Sequence, residues 1–132
     1  MMALELDKGE QLELFPSASK EDIQEAKKRL NQYHKCQAVI AEFERRGLET
    51  LSIQQSAVYD QLKNRALDLS SAINLIIDVE VKEIIKYRYV EGNKHAVTVD
   101  HFAEMMDDRT VERKLQKGIE SVAESLKIMT VK

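Results

Sequence analysis

Hydrophobic positions recur at helical spacing along most of this chain. From residue 19 onward, Ile23, Ala26, Leu30, Tyr33, Cys36, Ile40 and Phe43 follow one another at steps of three and four, a seam of coiled-coil character. Ser19 with Asp22 three positions on is a relative of the capping box, so a helix is expected to begin there. Arg45, Arg46 and Gly47 should end it, because basic side chains suit the negative end of a helix dipole and glycine accepts the left-handed turn. After a connector over 48–52, a second long helix carries Ala57 (or Val58), Leu62, Ala66, Leu69, Ile73, Ile76 and Ile77 toward a partner, with Gln61, Lys63, Arg65 and Asp68 outside. A short connection between two such helices makes an antiparallel hairpin, whose seam can close within one chain or between two. Residues 1–18 hold no stable period and read as a flexible lead or short docking segment.

Asp78 marks a break. Residues 79–90 form a further helix with Val81, Ile84, Ile85, Tyr89 and Arg88 turned inward, and residues 91–94 turn the chain. Residues 99–119 then read as a short helix, a tight polar turn and a second helix. In 99–106, Phe102 and Met106 point toward a core while Asp100 and Glu104 face water. Asp107 is placed to accept a hydrogen bond from the free N–H groups of a helix starting near Asp108. In that helix Val111, Leu115, Ile119 (with Gly118), Val122 and Leu126 form the buried stripe. Residues 127–132 are expected to fray. Gly118 inside a helix costs about 1 kcal/mol relative to alanine, which points to close packing against a neighbour.

The stripe leaves Arg109, Thr110, Glu112, Arg113, Gln116 and Lys117 outside, and that set suits a helix in the DNA major groove. Arginines bond guanine bidentately, Gln116 can pair an adenine edge, and Thr110 and Lys117 can reach phosphates. The plainer alternative is an amphipathic helix with a solvated charged face. The short helix and clipped turn upstream favour the helix-turn-helix, which needs both to brace its second helix across the groove. Two short helices alone bury too little apolar surface, so 79–90 supplies the supporting layer.

With 132 residues, 43% hydrophobic, 33% charged and one proline, the chain can build one helical domain or a small domain with a helical arm. A formal net charge of −3 gives no global attraction to nucleic acid, so DNA contact must come from local clustering. Residues 109–117 supply it, with Arg109, Arg113, Lys114 and Lys117 against Glu112 alone. Asp107 and Asp108 would repel a phosphate that faced them, which implies modest affinity per module and a need for pairing. The lone Cys36 excludes an intramolecular disulfide and suits a reducing cytoplasm. No signal peptide or membrane span is expected, since no apolar run is long enough.

Other chemistry finds little footing. The four glycines, at 9, 47, 92 and 118, form no phosphate-cradling loop. His34 with Cys36 lacks further ligands at zinc spacing, and His95 with His101 is not a metal pair on one helical face. No cofactor is expected. Cys36 lies on the apolar seam with no base nearby to form a reactive thiolate. The carboxylates are scattered over helix faces, and Tyr33, Tyr59, Tyr87 and Tyr89 are too dispersed for a single-strand stacking platform. The chain does not read as an enzyme.

From residue 79 the order IIKYRYVEGN, TVDHFAEMM, DDRTVERKLQKGIESVAESL resembles the region 4 DNA-binding module of sigma factors. With the long helical segment in front, the chain looks like the ArpU/RinA-like regulators of phages and prophages of Gram-positive bacteria, which control late-gene transcription. The match rests on about two fifths of the chain, from residue 79. The periodicity gives an all-α fold with a long N-terminal helical hairpin (19–78) for dimerisation or partner binding, which fits the family only in length and character, and the resemblance makes 79–132 a sigma region 4-like helix-turn-helix bundle. The resemblance implies a sequence-specific, double-stranded-DNA-binding transcriptional regulator, an activator acting with RNA polymerase. Arg109, Thr110, Arg113, Lys114 and Lys117 stand where such modules meet DNA. Two rivals are kept: the small subunit of a phage packaging terminase, and an interaction module whose working surface is the seam over 23–43, binding a partner helix.

Overall fold

The structure is a computed structural model and describes residues 17–130. The expected lead over 1–18 lies outside the described residues but for its last two positions, as do residues 131–132. The described residues are all helical, with no strand: α1 (Lys20–Arg46), α2 (Ile53–Asn74), α3 (Val79–Ile85), α4 (His95–His101) and α5 (Asp108–Met129). A 3₁₀ turn, Leu48–Thr50, joins α1 to α2, and α3 runs on into a π-helical turn, Lys86–Val90.

Local chemistry sets the ends of the hairpin helices. Asp22 N–H donates to Ser19 Oγ at 3.0 Å and Ser19 N–H to Asp22 Oδ2 at 2.8 Å, closing the capping box. At the far end Gly47, at φ 96°, donates its N–H back to the carbonyls of Phe43 and Glu44. A second capping box, Ser52 with Gln55, opens α2. Glu44 Oε2 then accepts from Tyr59 Oη at 2.6 Å and Lys63 Nζ at 3.0 Å, pinning the end of α1 to the start of α2.

The seam closes within one chain. Ala26, Leu30, Tyr33 and Ile40 of α1 join Ala66, Leu69, Ala72 and Ile73 of α2 in one cluster with the buried stripe of α5. The third helix of this bundle is therefore α5, which packs against α1, α2 and α3. The turn at residue 78 is a change of direction but not a gap in the packing, because the hairpin and the C-terminal helices share that core. Ala26, Leu30, Tyr33 and Ile40 of the seam are thus buried by the chain's own helices, while Ile23, Cys36 and Phe43 remain half-buried.

Three expectations about individual positions need correction. Ile77 is 96% exposed, because α2 stops at Asn74 and the helical period no longer carries past it. Ala57 and Val58 are also exposed, lying in the first turns of α2 and outside the core cluster. At the C-terminus the helix does not fray at Lys127: it runs to Met129, with Lys127 Nζ 3.1 Å from Asp22 Oδ2.

The short helix of the expected helix-turn-helix is also displaced. It spans His95–His101 instead of 99–106, and the chain turns over 102–107. Thr98 is its one buried residue, Phe102, also buried, caps its C-terminal end, and Met105 is exposed. Hydrogen bonds from Ala103 N–H to Asp100 O and from Met105 N–H to Phe102 O tighten the chain into turns there. The three-residue spacing of Phe102 and Met105 belongs to the turn and not to a helical face.

Candidate nucleic-acid interface

The long C-terminal helix starts where its cap dictates. Asp107 Oδ1 accepts from the N–H of Thr110 at 2.8 Å, and α5 begins at Asp108. The hydroxyl and N–H of Thr110, with the Arg113 guanidinium nearby, hold the Asp107 carboxyl below the usual carboxylate range. Val111, Leu115, Gly118, Ile119, Val122, Ala123 and Leu126 are all buried, so one face of α5 is fixed against the bundle. At about 100° per residue, Arg109, Arg113 and Lys117 then succeed one another at i, i+4 and i+8 on the opposite face. All three are exposed. Among the described residues none of them makes an ion pair or side-chain hydrogen bond.

The remaining expected DNA-contacting residues are placed differently. Lys114 is turned sideways onto α3, where its Nζ pairs with Glu80 and only 17% of its side chain is exposed. Its position on the helix, about 100° from the core-facing Leu115, directs it toward a neighbouring element and away from solvent. Gln116 is exposed but donates to Glu120 Oε2 at 3.1 Å, a bond it must release to read a base. Thr110 is half-buried on the first turn, beside the cap. The face that is open is therefore Arg109, Arg113 and Lys117, with Gln116 at its edge.

Support for α5 comes from below and from one flank. Gly118 lies against Ile85 and Val81 of α3. On the other flank His95 Nε2, at the start of α4, is 3.3 Å from Glu112 Oε2. The π-helical turn is stabilised by side chains: Asn93 Nδ2 donates to Tyr87 O at 2.8 Å, Arg88 Nη1 donates to Asn93 O at 2.9 Å, and the Arg88 guanidinium lies 4.7 Å above the Tyr89 ring. Tyr87 stacks on His101, centroids 4.0 Å apart, with Phe102 edge-on to both rings. This aromatic group ties α4 to the π-helical turn. The sequence reading singled out neither the π turn nor the aromatic group. Its signal was there only as Tyr87, His101 and Phe102, too far apart along the chain for any periodicity to connect them.

Beside α5 runs a groove between α1, the π-helical turn and α4, with an apolar floor that includes Leu30, Tyr89, Leu115 and Ile119. Lys27, Arg88, His95 and Gln116 line one part of it, and His34, Lys35 and Arg88 the adjoining part. No group of three or more His, Cys, Asp or Glu able to hold a metal ion occurs among the described residues. Among them, too, no helix is long and apolar enough to cross a membrane. Comparison of the chain with protein-family profiles, with curated proteins and with solved structures gives no match in any of the three.

Proposed function

We propose that the chain is a sequence-specific double-stranded-DNA-binding transcriptional regulator that lays the outer face of α5 in the major groove. The observation that carries this reading is the row Arg109–Arg113–Lys117, exposed on a helix whose opposite face is locked into the core. Long cations held at that spacing on a rigid element suit guanine edges and the phosphates beside them. Their local charge offsets a net charge of −3, which by itself would keep the protein off DNA. The resemblance to region 4 of sigma factors and to ArpU/RinA-like phage regulators suggests the setting: late-gene activation with RNA polymerase, in the cytoplasm of a bacterial host. If two copies pair on DNA, they do so through a surface other than the buried positions of the α1 seam, which α2 and α5 cover.

The test is selection of a bound site from random duplexes, followed by binding assays at several salt concentrations. Replacing Arg113 with alanine is expected to weaken the selected site by about 1–3 kcal/mol if Arg113 reads a base, and to weaken all duplexes alike if it meets a phosphate. Equal binding by the wild type and the Arg109→Ala/Arg113→Ala/Lys117→Ala protein would refute the proposal.

A further inference from the structure

The groove beside α5 carries a second feature of the same surface. Across its two adjoining parts, the lining includes Lys27, His34, Lys35, Arg88 and His95. Glu112 is the one carboxylate among the lining residues, and it already faces His95. Arg88 spends one donor on Asn93 O, and a guanidinium has five. In a chain with more acidic than basic residues, such a lining is a local excess of cations.

Its position relative to α5 matters as much as its charge. Glu112 and Gln116 lie on the flank of α5 that turns toward α1 and α4, whereas Lys114 lies on the opposite flank, toward α3. Gln116, at the edge of the row Arg109–Arg113–Lys117, therefore borders both the DNA-facing side of α5 and the groove. An α-helix centred in a major groove roughly 12 Å wide has a phosphate strand about 6 Å to either side of its axis. A helix packed beside it at about 8–10 Å holds its outward side chains over that strand. On α1 those side chains are Lys27 and, two turns on, Lys35, both exposed.

We infer that this groove takes the phosphodiester backbone of the duplex whose major groove α5 enters, with Lys27 and Lys35 of the N-terminal hairpin and Arg88 of the π-helical turn as its anion contacts. The inference rests on the proposed reading of α5 and assigns α1 a direct part in DNA binding. That part is distinct from dimerisation or partner binding.

The experiment measures binding of the full chain to its selected duplex across a salt series, for the wild type, a Lys27→Ala/Lys35→Ala variant and a Lys28→Ala/Arg46→Ala control. The control removes the same charge from α1 at exposed positions outside the groove lining. Each lost phosphate contact lowers the slope of log affinity against log salt by about 0.9. The groove variant is expected to lose about two units of slope with the base preference unchanged, and the control to lose well under one. Unchanged melting of the groove variant verifies that the fold is intact. Equal slopes for groove variant and control, with the Arg109/Arg113/Lys117 variant still losing the site, overturn the inference and leave the α5 reading standing. A wild type that selects no duplex overturns both.

Discussion

Gly118 decides how near α5 can come to α3. A Cβ built there would lie 2.6 Å from Ile85 Cδ1 and 3.1 Å from Val81 Cγ1, and Ile85 is itself fully buried, with nowhere to retreat. Alanine gains about 1 kcal/mol of helix propensity over glycine, but overpacking a tight interior costs about 1–3 kcal/mol. The Gly118→Ala protein is therefore expected to be less stable by roughly 1 kcal/mol in denaturant unfolding. A gain in stability would mean that α3 and α5 sit further apart than described. Asp107 acts through charge. Its carboxyl titrates below its ordinary value of 3.8 when folded, so the stability it contributes is complete above that value. It drains away as pH falls through the lower, folded value. Asn keeps the capping oxygen but not the charge, so Asp107→Asn is expected to give a melting temperature that falls less steeply with acid below about pH 4.

Among the elements, α5 was the most legible in the sequence and α4 the least. The cap at Asp107 and the buried positions Val111, Leu115, Gly118, Ile119, Val122 and Leu126 follow from a period that a long amphipathic helix repeats many times over. α4 has seven residues and one buried side chain, Thr98, with Phe102 buried just past its end, too few turns for a period to fix its register. Its placement depends on the stacking of His101 on Tyr87 and on Asn93 filling a carbonyl of the π turn, contacts between stretches that no local pattern links. Lys114 is the clearest case at the candidate site. Read along the chain it belongs with Arg113 and Lys117, yet the docking angle of α3 gives it Glu80 as partner. Lys114→Ala is expected to lower stability by about 0.5 kcal/mol, as a partly exposed ion pair does. It should leave DNA affinity within twofold of wild type, where Arg113→Ala does not. A Lys114→Ala protein as deficient in binding as Arg113→Ala would mean that the Glu80 pair opens when DNA arrives.

At the scale of the whole molecule, the reading of the sequence as a hairpin followed by a separate DNA-binding unit meets a bundle in which α5 is the shared member. Leu30 and Tyr33 of α1, and Leu69, Ala72 and Ile73 of α2, lie in the same core as Leu115, Ile119, Val122 and Leu126. Removing the hairpin would expose most of the buried face of α5. What remains, α3, the π turn and α4, covers chiefly the Gly118 side and the first turns. Chains of about that size are marginal even with a complete core, and this one would lose the hairpin side of its own. Residues 79–132 alone are accordingly expected to show no cooperative thermal transition by circular dichroism and no site-specific DNA binding, although every residue of the α5 face is present. A cooperative melt from that fragment would show that the core divides at residue 78 after all. Because the full bundle positions α5, destabilising substitutions deep in the hairpin, such as Leu30→Ala, should weaken DNA binding only as far as they unfold the chain. The fraction bound should then track the fraction folded, and restoring the fold at lower temperature should restore the affinity.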